Sequence, residues 1–289
     1  MEWYFLVLLS ACFLASADLF MKKALTHDHA LEFLLSSSFL ITLFLLPFLS
    51  QMNFSFSIFS YNLIFLKALL ASLAWLLFMK GVRHLELSQA IPLKNLSSLY
   101  VLILSFFFLG ERLTFLQIGG ILILIFGAAL LELEKDLFHF VRKIKELPKK
   151  YLFFILIGLL FGAFCVLLDK IILREVEVLS FTFLHFLLLF LFYFGYSTVR
   201  YQGYQDMIAV YKKSGIFVFG FAISMVFADY LHFSALAIPT VYISLAIPLR
   251  RLGSLISTFI GGRMFHEHNL GLRFLASSFM LSGVGMLVW

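Results

Sequence analysis

The sequence predicts an all-α integral membrane protein of ten transmembrane helices, arranged as two inverted five-helix repeats. Three observations predict it. Of the 289 residues, 62% are hydrophobic and 13% charged, 38 are Phe, and the mean hydropathy is +1.02; so little polar surface cannot cover a water-soluble globule. The apolar residues fall in blocks of about 20, the length that crosses a bilayer as a helix. Finally, one stretch is written twice. Ile91-Pro92-Leu93-Lys94-Asn95-Leu96 returns 156 residues later as Ile247-Pro248-Leu249-Arg250-Arg251-Leu252, and at that shift Ser98 meets Ser254, Leu99 meets Leu255, Glu111 meets Glu267 and Gly127 meets Gly283 without a gap.

The predicted segments are 3–23, 31–50, 62–82, 87–109, 114–133, 151–173, 178–199, 214–236, 240–262 and 270–289. The first has no basic stretch before it and no small-residue cleavage site after it, so it is expected to be a retained helix rather than a signal peptide. Charge or turn residues mark the breaks: Lys22-Lys23 through Glu32, Gln51 to Asn62, Lys80 to Glu86, and Gly110-Glu111-Arg112. The longest charged run, Glu132 to Lys150, divides the chain into residues 1–133, a basic linker 134–150, and residues 151–289. Its apolar Leu137, Phe138, Val141 and Ile144 beside Arg142, Lys143 and Lys145 suit a helix lying on the membrane surface, or else a solvated basic linker.

Lys and Arg set the expected orientation. Loops after the odd-numbered segments hold 14 of the 22, the opposite face holds Arg112, Lys170 and Arg174, and the other five lie within segments. The linker side is therefore expected to be cytoplasmic and both termini outside. The net charge of +6 has the same topological origin and implies no nucleic-acid partner. With five segments per half, the second copy enters the bilayer in the opposite direction, so the repeat is inverted.

The run Phe108-Leu109-Gly110-Glu111-Arg112-Leu113-Thr114, followed by Gln117-Ile118-Gly119-Gly120 and closed in each half by Gly127 or Gly283, resembles the drug/metabolite transporter superfamily, in its ten-helix EamA-like members. The resemblance spans both halves, although the second motif, Phe265-His266-Glu267-His268-Asn269-Leu270, keeps mainly the Glu. It implies two inverted five-helix bundles around a central cavity, alternating access without ATP, and no cofactor. Many members of the family look as though their termini are cytoplasmic, and the loop charges here argue the reverse. A narrower likeness is to sugar-phosphate translocators, in which a helix-four Lys stands 17 residues before a Gly-Glu glutamate and a Lys-Arg pair lies in helix nine. Lys94 stands 17 before Glu111, and Arg250-Arg251 fall in the ninth segment.

Charge at membrane depth singles out the candidate residues. An ionised side chain inside a membrane helix costs at least roughly 2.5–3.5 kcal/mol unless it faces protein or water. Lys94, Arg250 and Arg251 are therefore candidates for binding a carboxylate or phosphate, or for pairing with Asp18, Asp169 or Asp229. Lys67, His185 and Tyr242 are further candidates for the wall of a binding site. Asp229, with His232 beside it, is a candidate proton or cation site, and Asp18 and Asp169 are candidate gating or coupling carboxylates. Pro92 and Pro248 each interrupt a helix just before a basic residue, as a hinge or as a tolerated kink. Gly253, Ser257 and Gly261 predict close packing of the fourth and ninth helices. Glu111 and Glu267 are expected to fix a loop or cap the helix that follows.

His27-Asp28-His29 and His266-Glu267-His268 read as loop histidines rather than metal ligands, Cys12 and Cys165 match no metal spacing, and no nucleophile elbow, phosphate loop or zinc motif is present. The sequence therefore implies no enzyme. It implies a secondary transporter in a plasma (inner) membrane, a monomer or homodimer that exports or exchanges a small organic solute. The expected solute is anionic or zwitterionic, with the proton as candidate coupling ion. The alternatives are a proton-coupled cation or drug exporter working through the intramembrane Asp residues, and a lipid-handling or scaffold protein that transports nothing.

Overall fold

The computed structural model describes residues 2–25, 27–82, 96–132, 149–201, 203–253, 255–256 and 270–288, and among these every regular element is helical. In chain order they are α1 (Trp3–Ala24), α2 (Ala30–Leu45), α3 (Ile58–Val82), α4 (Leu96–Leu104), α5 (Phe115–Glu132), α6 (Lys149–Ile172), α7 (Val178–Arg200), α8 (Tyr204–Leu236), α9 (Ile243–Arg250) and α10 (Leu270–Val288). Among the described residues α1, α2 continued through the turn to Gln51, α3, α6, α7 and α8 are long and apolar enough to cross a membrane, and α4, α5 and α10 carry shorter apolar stretches. Large apolar side chains stand exposed along them, Phe107 at 74% and Ile216 at 77%, while Lys67, Asp169 and Asp229 are buried. That inversion of the soluble pattern is what lipid as solvent demands. The chain is an all-α integral membrane protein.

Three elements differ from the sequence expectation for local reasons. The second segment is not one α-helix: it tightens into a 3-10 turn over Leu46–Gln51, where Pro47 supplies no N–H to continue the α ladder. The eighth begins ten residues early. The polar stretch Tyr204–Lys213, expected as a loop, is helical, with Met207, Val210 and Ser214 on one buried face, and it joins the rest of α8 through a kink at Ser214 (φ −126°, ψ 17°) beside Gly215. The fourth ends in a π turn over Ser105–Leu109, stopped by Gly110 in the left-handed region (φ 67°). Residues 134–148 of the surface helix considered for 134–150 lie outside the described residues, as do Pro92, Lys94, Ser257 and Gly261, while Lys149 and Lys150 open α6.

The chain falls into two compact units, each drawing on both sequence halves. The first comprises Met1–Ser72 and Leu168–Pro239, the second Leu73–Leu167 and Thr240–Trp289. In the first unit α1 and α2 pack on α8, and α2 packs on α7. Aromatic pairs fill the seams, among them Phe13–Phe227 (5.2 Å), Phe33–Phe221 (4.9 Å) and Phe39–Phe190 (5.2 Å). Buried hydroxyls of α2 bond back to their own helix, as with Ser38 to Leu34 O (2.7 Å) and Thr42 to Ser38 O (2.8 Å), which removes unpaired donors from an apolar medium.

In the second unit α5 lies against α10 through glycine. A Cβ on Gly120 would sit 2.8 Å from the carbonyl oxygen of Gly283, and one on Gly127 would sit 2.9 Å from that of Ala276. The glycines that closed each sequence motif are thus sites of backbone approach. Contact between α4 and α9 exists as well.

Candidate functional site

Two buried polar groupings stand out, one in each unit. In the first unit, Lys67 of α3 places Nζ 3.1 Å from Oδ1 of Asp169 on α6, with both side chains almost fully buried. The same ammonium lies 4.9 Å from the Phe181 ring centroid and 5.0 Å from that of Phe233, distances at which a ring face attracts a cation. Phe181 and Phe233 meet edge to face at 4.9 Å, and the buried His185 ring is stacked on Phe181 at 6.2 Å. Lys170, the next residue after Asp169, donates to Leu236 O (2.8 Å) and Ile238 O (2.7 Å). It thereby satisfies carbonyls at the end of α8 and complements that helix terminus with positive charge. Lys170, counted from the sequence among the charges of one membrane face, is buried in the last turn of α6.

In the second unit the organising group is Glu111. Its carboxylate accepts the backbone N–H of Ile243 (2.7 Å) and of Ser244 (3.1 Å), and the Ser244 hydroxyl donates to it as well. Of the two roles expected for Glu111, fixing a loop or capping the helix that follows, the second is corrected here: the helix it caps is α9. The following helix, α5, is closed by its own capping box, in which Thr114 N–H donates to Gln117 Oε1 (3.0 Å) and Gln117 N–H donates to Thr114 Oγ1 (3.2 Å).

At its other end α9 stops two residues after Pro248, whose ring nitrogen cannot donate to the Ser244 carbonyl. Arg250 is the last helical residue and Arg251 the cap, both half-buried, and Arg251 Nη2 donates to Ser97 Oγ of α4 at 2.6 Å. A carboxylate at the N-terminus and guanidinium groups at the C-terminus complement the helix dipole at both ends.

Asp229 and His232 are buried on α8, with the His232 ring 6.0 Å from that of Phe233. Asp18 is half-buried in α1. Tyr242 is the residue before α9 and is 37% exposed; its carbonyl accepts from Leu245 and Ala246. Lys94 lies outside the described residues. Sequence reasoning named Lys67 and Asp169 separately, missed that they meet, read Ser97 only as a small residue for helix packing, and missed Phe181 and Phe233 altogether. No local signal separates two phenylalanines from the other 36 of the 38 in the chain.

Lys67 and Asp169 place a pair of charges within two helices long and apolar enough to cross a membrane. A solved crystal structure of another protein, one of 28 matching chains, superposes with a TM-score of 0.70 over 98% of this chain and 96% of that one. At 14% identity that likeness shows the fold alone. No protein of curated function matches the sequence. Residues 1–133 match the model of the EamA-like transporter family. That segment, a little under half of the chain, is similar to the EamA-like transporter family of the drug/metabolite transporter superfamily.

Proposed function

We propose that the protein is a secondary active transporter that exports or exchanges a small anionic or zwitterionic organic solute by alternating access. The observation that supports this most is the Arg250–Arg251 pair, at the C-terminal end of an eight-residue helix that Pro248 cuts short. Guanidinium groups there can take a carboxylate or phosphate bidentately, and the Ser97 hydroxyl orients one of them. Lys94, aligned with Arg250 by the 156-residue repeat, and Tyr242 complete the proposed anion-binding set. Asp229 with His232, and Asp18, are the proposed coupling groups, with the proton as the ion.

The test is counterflow of organic acids, amino acids and phosphorylated sugars in vesicles containing the purified protein. Arg250→Ala and Arg251→Ala are expected to weaken apparent affinity for an anionic solute by about 10- to 100-fold, the worth of one charge-assisted hydrogen bond. Undiminished transport in both variants sinks the arginine site. Asp229→Asn is expected to abolish the response to an imposed proton gradient while leaving exchange intact. A second reading, export of organic cations, is favoured by one observation: in the first unit a carboxylate and two aromatic rings surround an ammonium.

A further inference from the structure

We propose that Asp169, Phe181 and Phe233 form a seat for a primary ammonium group, that Lys67 fills it as a tethered occupant, and that the ammonium of a solute exchanges with Lys67 there. This rests on the transporter reading above and narrows its solute to one that carries an ammonium. The chemistry is that of an alkylammonium receptor: a carboxylate 3.1 Å from the nitrogen on one side, and two ring centroids at 4.9 and 5.0 Å on others.

The receptor is preorganised. Phe181 is held between Phe233 at 4.9 Å and the stacked His185 ring at 6.2 Å, so neither aromatic wall depends on Lys67 for its position. Asp169 is held by its neighbour, because Lys170 ties the end of α6 to Leu236 O and Ile238 O, immediately beyond Phe233.

The occupant is suited to leave. A lysine carries a compact charge on a flexible four-carbon stem, whereas an arginine fork in the same place would be locked to the carboxylate in two bonds. Exchange also solves an energetic problem. Withdrawing Lys67 alone would strand Asp169 as an uncompensated buried charge, the costly outcome for any buried pair. If another ammonium enters as Lys67 leaves, the seat holds one positive charge throughout, and the departure of Lys67 is coupled to the arrival of solute.

The experiment uses the full chain in detergent. Lys67→Ala removes the ammonium and three methylenes, and n-propylammonium supplies the same atoms. Propylammonium chloride is expected to raise the melting temperature of this variant where sodium chloride and propanol at equal concentration do not. The rise is expected to vanish in Lys67→Ala/Asp169→Asn and in Lys67→Ala/Phe181→Leu. In the parent the same amine is expected to stabilise with an apparent affinity at least about tenfold weaker, because the seat is open only in molecules whose Lys67 has left. Phe233→Leu in the otherwise parental chain must weaken that response, an arm that needs no change at Lys67.

No amine-specific rise in Lys67→Ala overturns the seat. A rise there with none in the parent at any concentration overturns the exchange. Vesicle uptake separates this from the broader reading: uptake of some solute without any amine response leaves the transporter standing and this proposal fallen. An amine response without uptake of any solute leaves the seat standing and removes the transporter.

Discussion

Glu111 and Ser244 stand 133 residues apart in the chain and meet as cap and helix start. The carboxylate takes the Ser244 N–H at 3.1 Å and its hydroxyl, together with the N–H of Ile243. All of these groups are buried. The glutamate of the sequence motif therefore sets where α9 begins, and through its short length where Arg250 and Arg251 lie.

Removing that cap has a readable cost. Glu111→Ala leaves two buried backbone donors of α9 without an acceptor, each worth about 1–3 kcal/mol, so the expected loss of stability is roughly 2–6 kcal/mol, reported by thermal unfolding in detergent. Glu111→Gln keeps one acceptor oxygen and is expected to lose less than half as much. Equal melting temperatures for Glu111→Ala and the parent would mean that α9 does not need the cap.

The buried pair makes a prediction by non-additivity. Lys67→Met leaves Asp169 charged and buried, and is expected to destabilise by roughly 3–5 kcal/mol. Lys67→Met/Asp169→Leu is expected to recover most of that, since two apolar side chains replace two charges. A double variant as unstable as the sum of its singles would show that the two residues do not act on each other.

Glycine supplies a prediction with opposite signs at two positions. Gly120→Ala drives a methyl to 2.8 Å from the Gly283 carbonyl oxygen and 2.9 Å from Met286 Cβ, and overpacking of this kind costs about 1–3 kcal/mol. Gly162 of α6 has nothing within 4 Å of an added Cβ. There Gly162→Ala is expected to be neutral or to stabilise by up to about 1 kcal/mol, the difference in helix propensity. Paired melting curves decide it, and a fall for both would mean that the contact at Gly120 is not what matters.

Much of the fold was legible because lipid imposes a length and a polarity on each element. Apolar blocks gave helix ends within a few residues for α1, α6 and α7. The polar start of α8 was not legible, because an interfacial helix needs only one apolar face, and Met207 and Val210 supply it among lysines and tyrosines. Burial of Lys67 and Asp169 could be read from their apolar neighbours, but their pairing could not: hydropathy says that a charge needs a partner, and topology decides which. The partner of Glu111 was hidden for the same reason, while Thr114 and Gln117, three residues apart, carried a cap that local spacing alone would have revealed.

The two compact units interleave along the chain, and their boundaries fall inside α3 and inside α6. The order in which the protein is made thus differs from the order in which it can be finished. When residues 1–72 leave the ribosome, the partners they need, residues 168–239, are still unsynthesised. The early helices must wait in the bilayer with their packing faces against lipid, and Lys67 must wait without Asp169. Truncation before residue 168 would remove those partners outright.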